Sequence, residues 1–117
     1  MTLFDRLNAQ RPWMEEERLV LDQVIRIAED VIAPAAVGYD KSGDYPETSM
    51  AALNKLGMNA IFVPEAYGGA LMSYRLYLEC VSIISAACAS TGIIYATNFH
   101  GMKPLIDLGT EEQKTRL

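Results

Sequence analysis

Twenty-three consecutive residues, Cys80 to Met102, carry no formal charge: CVSIISAACASTGIIYATNFHGM. A folded chain does not leave such a stretch open to water, so it narrows the possible architectures to two. The length suffices to cross a bilayer. A span, however, is predominantly apolar. This stretch holds Ser82, Ser85, Ser90, Thr91, Thr97, Asn98 and His100, with Gly92 near its centre. It therefore reads as two helices buried on most sides, whose small residues let backbones approach closely. No membrane span is expected.

The remainder agrees with a helical fold. From Glu15 to about Ala33, Val20, Val24, Ile27 and Val31 recur at helical spacing, flanked by Leu21, Ile25 and Ile32. Pro34 sits near the end of this helix, and a proline pushes the residue before it out of the helical region. GYDKSGDYP then reads as a loop of turn formers. Pro46 opens a short second helix, which Gly57 closes at the left-handed position. AIFVP is an apolar run, extended before its proline, and PEAYGG is a turn. Ser73 caps a third helix running to about Ala89. Ser90 and Thr91 can cap a fourth, ending near Gly101, because Pro104 would clash with the His100 carbonyl in a continuous helix. A short helical turn to Leu108 follows. Thr110 and Gln113 then form a capping box, with only seven residues after the cap. A helix that short is marginal in water, which raises the question of why a helix begun with such careful capping is so short.

Composition excludes several functions. Half of the 117 residues are hydrophobic and 21% are charged, enough for a packed core. The formal net charge of −5 repels nucleic acid and anionic membrane. Cys80 and Cys88, both placed on the third helix, lie about 12 Å apart along its axis, too far to pair. Free thiols, with Asp5 and Arg6 where a signal peptide needs apolar residues, give the expectation of a cytoplasmic protein.

No string is a self-contained catalytic site. VPEAYGG holds Gly68 and Gly69 but neither a dinucleotide fingerprint nor a P-loop, so it reads as a turn. His100, the only histidine, reads as a structural hydrogen bonder. Glu15, Glu16 and Glu17 complement a helix dipole. STGIIYATNFHGM differs. On a helix, Ile94, Asn98 and Gly101 share one side, and Tyr95, Phe99 and Met102 the adjacent one. A largely apolar wall with one amide and one phenol resembles the lining of a ligand pocket, but on spacing alone a buried helix with a satisfied Asn and Tyr is the preferred reading.

Taken in order, YPETSMAALNKLGMNAIFVPEAYGG, STGIIYATNFHG and LIDLGTEEQK resemble the amino-terminal helical domain of the acyl-CoA dehydrogenase family, over roughly Leu19 to Leu117. The resemblance implies an all-α, antiparallel bundle of four main helices, with residues 1–117 a single helical domain. It also implies that the central β domain and carboxy-terminal helical domain of the family are absent from this chain. Family members are FAD-dependent: a carboxylate removes the α-proton of an acyl-CoA thioester while the β-hydrogen leaves as hydride to the flavin. The base and most FAD contacts lie in the other domains, so the chain alone is expected to be inactive, with no catalytic, cofactor-binding or metal-binding residue of its own. Its implied contribution is one wall of the acyl pocket, with Ile94, Tyr95, Asn98, Phe99 and Met102 as substrate neighbours. Implied partners are an acyl-CoA substrate, an electron-transfer flavoprotein and further copies in a homo-oligomer. The same domain occurs in acyl-CoA oxidase and flavin monooxygenase relatives, and a stand-alone helical interaction module is a further reading.

Overall fold

A computed structural model of the chain describes residues 1–116, leaving aside the Phe4 side chain. Every regular element among them is helical. In chain order α1 spans Leu3–Gln10, α2 Glu15–Ile27, α3 Ala33–Ser42, α4 Glu47–Lys55, α5 Tyr74–Ala87, α6 Ala89–Leu108 and α7 Glu111–Thr115. Four bodies carry the bundle: the α2–α3 rod, α4, α5 and α6. The core is shared among them, with Leu21, Val24, Ile32, Leu53, Met58, Leu76, Ile84 and Tyr95 among its buried residues. The molecule is a slab of 41 × 40 × 20 Å with a radius of gyration of 15.0 Å, where a compact domain of this length would have about 13 Å.

Local capping chemistry explains many boundaries. Gly57 follows α4 at φ +80°, a left-handed conformation that costs glycine little. The Ser73 side chain accepts the Leu76 N–H at 3.2 Å. The Thr110–Gln113 capping box forms in both directions, at 2.9 and 3.2 Å. α7 gains a tertiary contact as well, since the Tyr67 hydroxyl donates to Glu111 at 2.7 Å. Leu117, which the expected last helix included, lies outside the described residues.

Several boundaries differ from the sequence reading. α2 does not stop at Pro34. A π-helical turn, Ala28–Ile32, joins it to α3, and the Ala33 N–H reaches back five residues to the Ala28 carbonyl. In a regular helix the Pro34 ring would press on the Asp30 carbonyl; the wider turn relieves this, and the chain stays helical to Ser42. Most of GYDKSGDYP is thus helix rather than loop. α6 likewise runs through Pro104 to Leu108. Pro104 is exposed, so the backbone group it displaces can turn to water. AIFVP is not extended: Met58–Ala60 is a 3-10 turn, and the segment packs back on itself through Val63 N–H to Ala60 O at 3.2 Å. α6 begins at Ala89 with Cys88 as its backbone cap, so Ser90 and Thr91 fall in its first turn. Cys80 lies in α5 and Cys88 at the α5–α6 junction, and both are free.

α1 went unread in the sequence. Thr2 and Asp5 form a capping box at its start, at 2.7 and 3.1 Å. It rests on the bundle through Arg75, whose guanidinium lies 3.5 Å from the Trp13 ring centroid. Arg75 also donates to Asn8 at 2.9 Å and to the Arg11 carbonyl at 2.6 Å.

Candidate functional site

α6 crosses the domain against α5, and three side-chain hydrogen bonds fix how it is turned. The Tyr77 hydroxyl of α5 donates to the Ala96 carbonyl at 3.0 Å. The Tyr95 hydroxyl, on a residue only 1% exposed, donates to the Met58 carbonyl at 3.0 Å. The Asn98 amide donates to Asn59 Oδ1 at 2.6 Å. Asn59 donates in turn to Asn54.

The five expected wall residues do not converge on one cavity. Ile94 is half-buried and lines a cleft of about 420 Å3 with Tyr39, Tyr45, Pro46 and Ser90. Phe99 lines a different cleft, about 340 Å3, with Tyr74, Tyr77, Val81 and Ala96. Phe99 stacks on Tyr77 at 5.1 Å and meets Phe62 edge-on at 4.9 Å. Tyr95 sits in the core, and Met102 packs against the core from its edge. Asn98 lines neither of these clefts, and its amide N–H is engaged by Asn59. His100 rims the Phe99 cleft, is exposed and has no hydrogen-bond partner among the described residues. It is therefore not the structural bonder expected; its imidazole meets water.

The remaining candidates resolve into structural roles. A cleft of about 620 Å3 lies between α1 and α5, lined by Leu7, Asn8, Arg11, Arg75, Leu78 and Glu79. None of the wall residues reaches it, and Arg75 is already committed to α1. Glu17 does more than complement a dipole. The residue is only 9% exposed, and its carboxylate accepts the Met14 N–H at 2.9 Å and the Ser73 hydroxyl at 3.4 Å, so it ties the start of α2 to the start of α5. Among the described residues no group of three or more His, Cys, Asp or Glu could hold a metal. No described helix is long and apolar enough to cross a membrane.

A flavin does not fit these residues by themselves. The glycine pair offers no cradle: a Cβ on Gly69 would lie 2.0 Å from the Val63 carbonyl oxygen, so the close approach it permits is to the chain's own backbone. Gly68 holds φ +85° to make that turn. Of the clefts on α6, the one at Phe99 presents mainly rings and aliphatic groups, and the one at Ile94 adds the carboxylates of Asp40 and Asp44, which would repel a pyrophosphate.

Sequence comparison then places the domain. Residues 14–117 match the acyl-CoA dehydrogenase N-terminal domain. The chain belongs to the acyl-CoA dehydrogenase family. It is 37% identical over 101 residues to a probable acyl-CoA dehydrogenase of Bacillus subtilis, covering 86% of this chain and 27% of that protein. Over 103 residues it is 36% identical to the mitochondrial short-chain specific acyl-CoA dehydrogenase of Sus scrofa, covering 86% and 25%. Over 102 residues it is 34% identical to the cyclohex-1-ene-1-carbonyl-CoA dehydrogenase of Geobacter metallireducens, covering 87% and 27%. The chain thus spans about a quarter of the length of these relatives. α1 lies outside the matched residues. The all-helical architecture is the one expected of this dehydrogenase domain.

The buried phenols and thiol give the domain an alkaline limit. Burial pushes Tyr77 up to about 12, and burial, then Glu79, pushes Cys80 up to about 12. Tyr95 is also raised, chiefly by burial. Each group is harder to ionise folded than unfolded. The stability this represents is fully present below the ordinary values of 9.0 and 10.0 and is lost as pH rises through about 12. Thermal melts between pH 8 and 12 should therefore fall steeply above pH 9 to 10. Tyrosinate absorbance should show Tyr77 and Tyr95 ionising only together with unfolding; early ionisation of every phenol would contradict their burial.

Proposed function

We propose that this chain is the amino-terminal domain of an FAD-dependent acyl-CoA dehydrogenase, which oxidises an acyl-CoA thioester between its α and β carbons. The observation that carries the reading is the match of residues 14–117 to that domain of the family. The flat shape supports it: a slab 20 Å thick keeps Val37, Leu71, Leu78, Ile93 and Leu108 exposed on its surface, as suits a domain packed against others. Within the dehydrogenase, α6 supplies one wall of the acyl pocket. Ile94 and Met102 present apolar surface, Asn98 lies between them, and Tyr95 and Phe99 support the helix from within. FAD, when bound, accepts the hydride, and the central β and carboxy-terminal domains hold it. The role of this chain's residues is to shape the acyl site and exclude water from it. The electron acceptor is an electron-transfer flavoprotein, and the assembled enzyme is a homo-oligomer.

This assignment makes the isolated chain inactive. Purified alone and mixed with FAD, it should retain no flavin absorbance after gel filtration and show no dye-coupled oxidation of acyl-CoA substrates of any chain length. A yellow protein with turnover would overturn the assignment of the flavin site and the base to other domains.

A further inference from the structure

The way α6 is held points to a residue outside its own wall. We propose that Asn59 is a positioning residue that sets acyl chain-length preference by fixing α6 through Asn98. The inference rests on the acyl-wall reading of α6 given above.

Met58 and Asn59 are consecutive residues of one 3-10 turn. Met58 accepts from Tyr95, and Asn59 accepts from Asn98. Tyr95 and Asn98 are three apart on α6, and so lie on one side of it. Two bonds at different heights on one helix side resist rotation about the helix axis, whereas one would act as a pivot. Asn59 is itself oriented, because its amide donates to Asn54 in α4. The relay Asn98–Asn59–Asn54 therefore references the turn of α6 to α4. Asn59 uses its carbonyl toward α6 and its NH2 toward α4, so the amide has one sensible orientation.

The consequence falls on the pocket wall. Ile94 precedes Tyr95 and moves with it. A rotation of roughly 25° carries a side-chain atom ~5 Å from the axis through ~2 Å, comparable to the step between alternate carbons of an acyl chain. The rotation changes the depth of the wall rather than the chemistry beside it.

The test uses the full-length flavoenzyme carrying this domain, with Asn59→Ala, Asn98→Ala, the double variant and Asn59→Asp. Asn59→Asp keeps the acceptor for Asn98 and loses the donor to Asn54. The measurement is kcat/KM for two acyl-CoA lengths bracketing the optimum, with a thermal melt of each variant. Asn59→Ala and Asn98→Ala should shift the ratio of the two values in the same direction, each about 3–10-fold, as loss of one hydrogen bond implies. The double variant should shift it no further than the larger single change, because the two residues act as one unit. Asn59→Asp, which keeps the bond to Asn98 but loses the tie to α4, should shift the ratio in the same direction as Asn59→Ala but by less. Equal losses at both lengths in Asn59→Ala, with a lower melting point, would make Asn59 merely structural and overturn the inference. Additive shifts would overturn it as well. If Asn98→Ala shifts the ratio and Asn59→Ala does not, this inference alone falls. If Asn98→Ala leaves the ratio unchanged, the acyl-wall reading falls with it.

Discussion

Gly92→Ala should cost the domain about 2 kcal/mol, or prevent it from folding. A Cβ at residue 92 would lie 2.0 Å from Ser85 Oγ, 2.7 Å from Ser85 Cα and 2.8 Å from Ser85 Cβ. The hydroxyl can rotate away. The Cα cannot, so α5 and α6 would have to part along the seam that also carries the Tyr77–Ala96 hydrogen bond and the buried Ile84 and Thr91. Overpacking of this kind costs about 1–3 kcal/mol and occasionally more. The better helix propensity of alanine returns up to about 1 kcal/mol. The clash wins because it falls on backbone. In a domain of this size the loss should lower Tm by about 8 °C or more. Ser85→Gly in the Gly92→Ala background removes two of the three clashing atoms and should recover about half the loss. Urea titration of the three proteins decides the matter, and a Gly92→Ala protein as stable as its parent would show that the seam opens freely.

The larger functional effect should come from Ile94→Trp in the full-length enzyme. Ile94 is half-buried at an open cleft and makes none of the hydrogen bonds that hold α6, so a bulky residue there can fill space without breaking the scaffold. Each methylene in an apolar pocket is worth about 1–3 kcal/mol of discrimination. Blocking several carbons should therefore lower kcat/KM for long acyl chains by two or more orders of magnitude, with little change for the shortest substrate accepted. Asn98→Trp is a less clean experiment, since it also severs the bond to Asn59. The measurement is kcat/KM across an acyl-length series beside the melting point. A uniform fall at every length, with a lower Tm, would return Ile94 to the core.

What could be read from the sequence was chemistry that acts over three or four residues. The Ser73 and Thr110 caps, the left-handed Gly57 and the close approach permitted by Gly92 each have a local cause. The α1 capping box had the same kind of signal in Thr2 and Asp5, but Leu3 and Leu7 stay exposed, so no buried face marks that helix. The two prolines misled because a steric rule for an ideal helix was applied to real ones, which widen before Pro34 and present Pro104 to water. The candidate site was legible only in part. Helical spacing grouped the residues on faces of α6 and the family resemblance made one of them a wall, but each cleft beside it is completed from elsewhere: Tyr39 and Tyr45 at one, Tyr74 and Tyr77 at the other. The Asn59–Asn98 bond joins residues 39 apart in the chain, beyond the reach of any local pattern. A buried Glu17 likewise became visible only when Ser73 arrived beside it from 56 residues away.

The π turn at Ala28–Ile32 also acts as an angular offset. One residue corresponds to roughly 100° of rotation about a helix axis, so the wide turn resets the phase between α2 and α3. α2 spends its phase on the core, through Leu21 and Val24. α3 buries no residue fully, and its phase is set instead by Tyr39, whose hydroxyl meets Thr48 at 2.8 Å at the head of α4. Deleting a single residue between Ala28 and Ile32 would close the turn to an ordinary one, swing Tyr39 away from Thr48 and set Pro34 against a carbonyl again. The length of that segment, rather than the identity of any residue in it, holds the rod in register with α4.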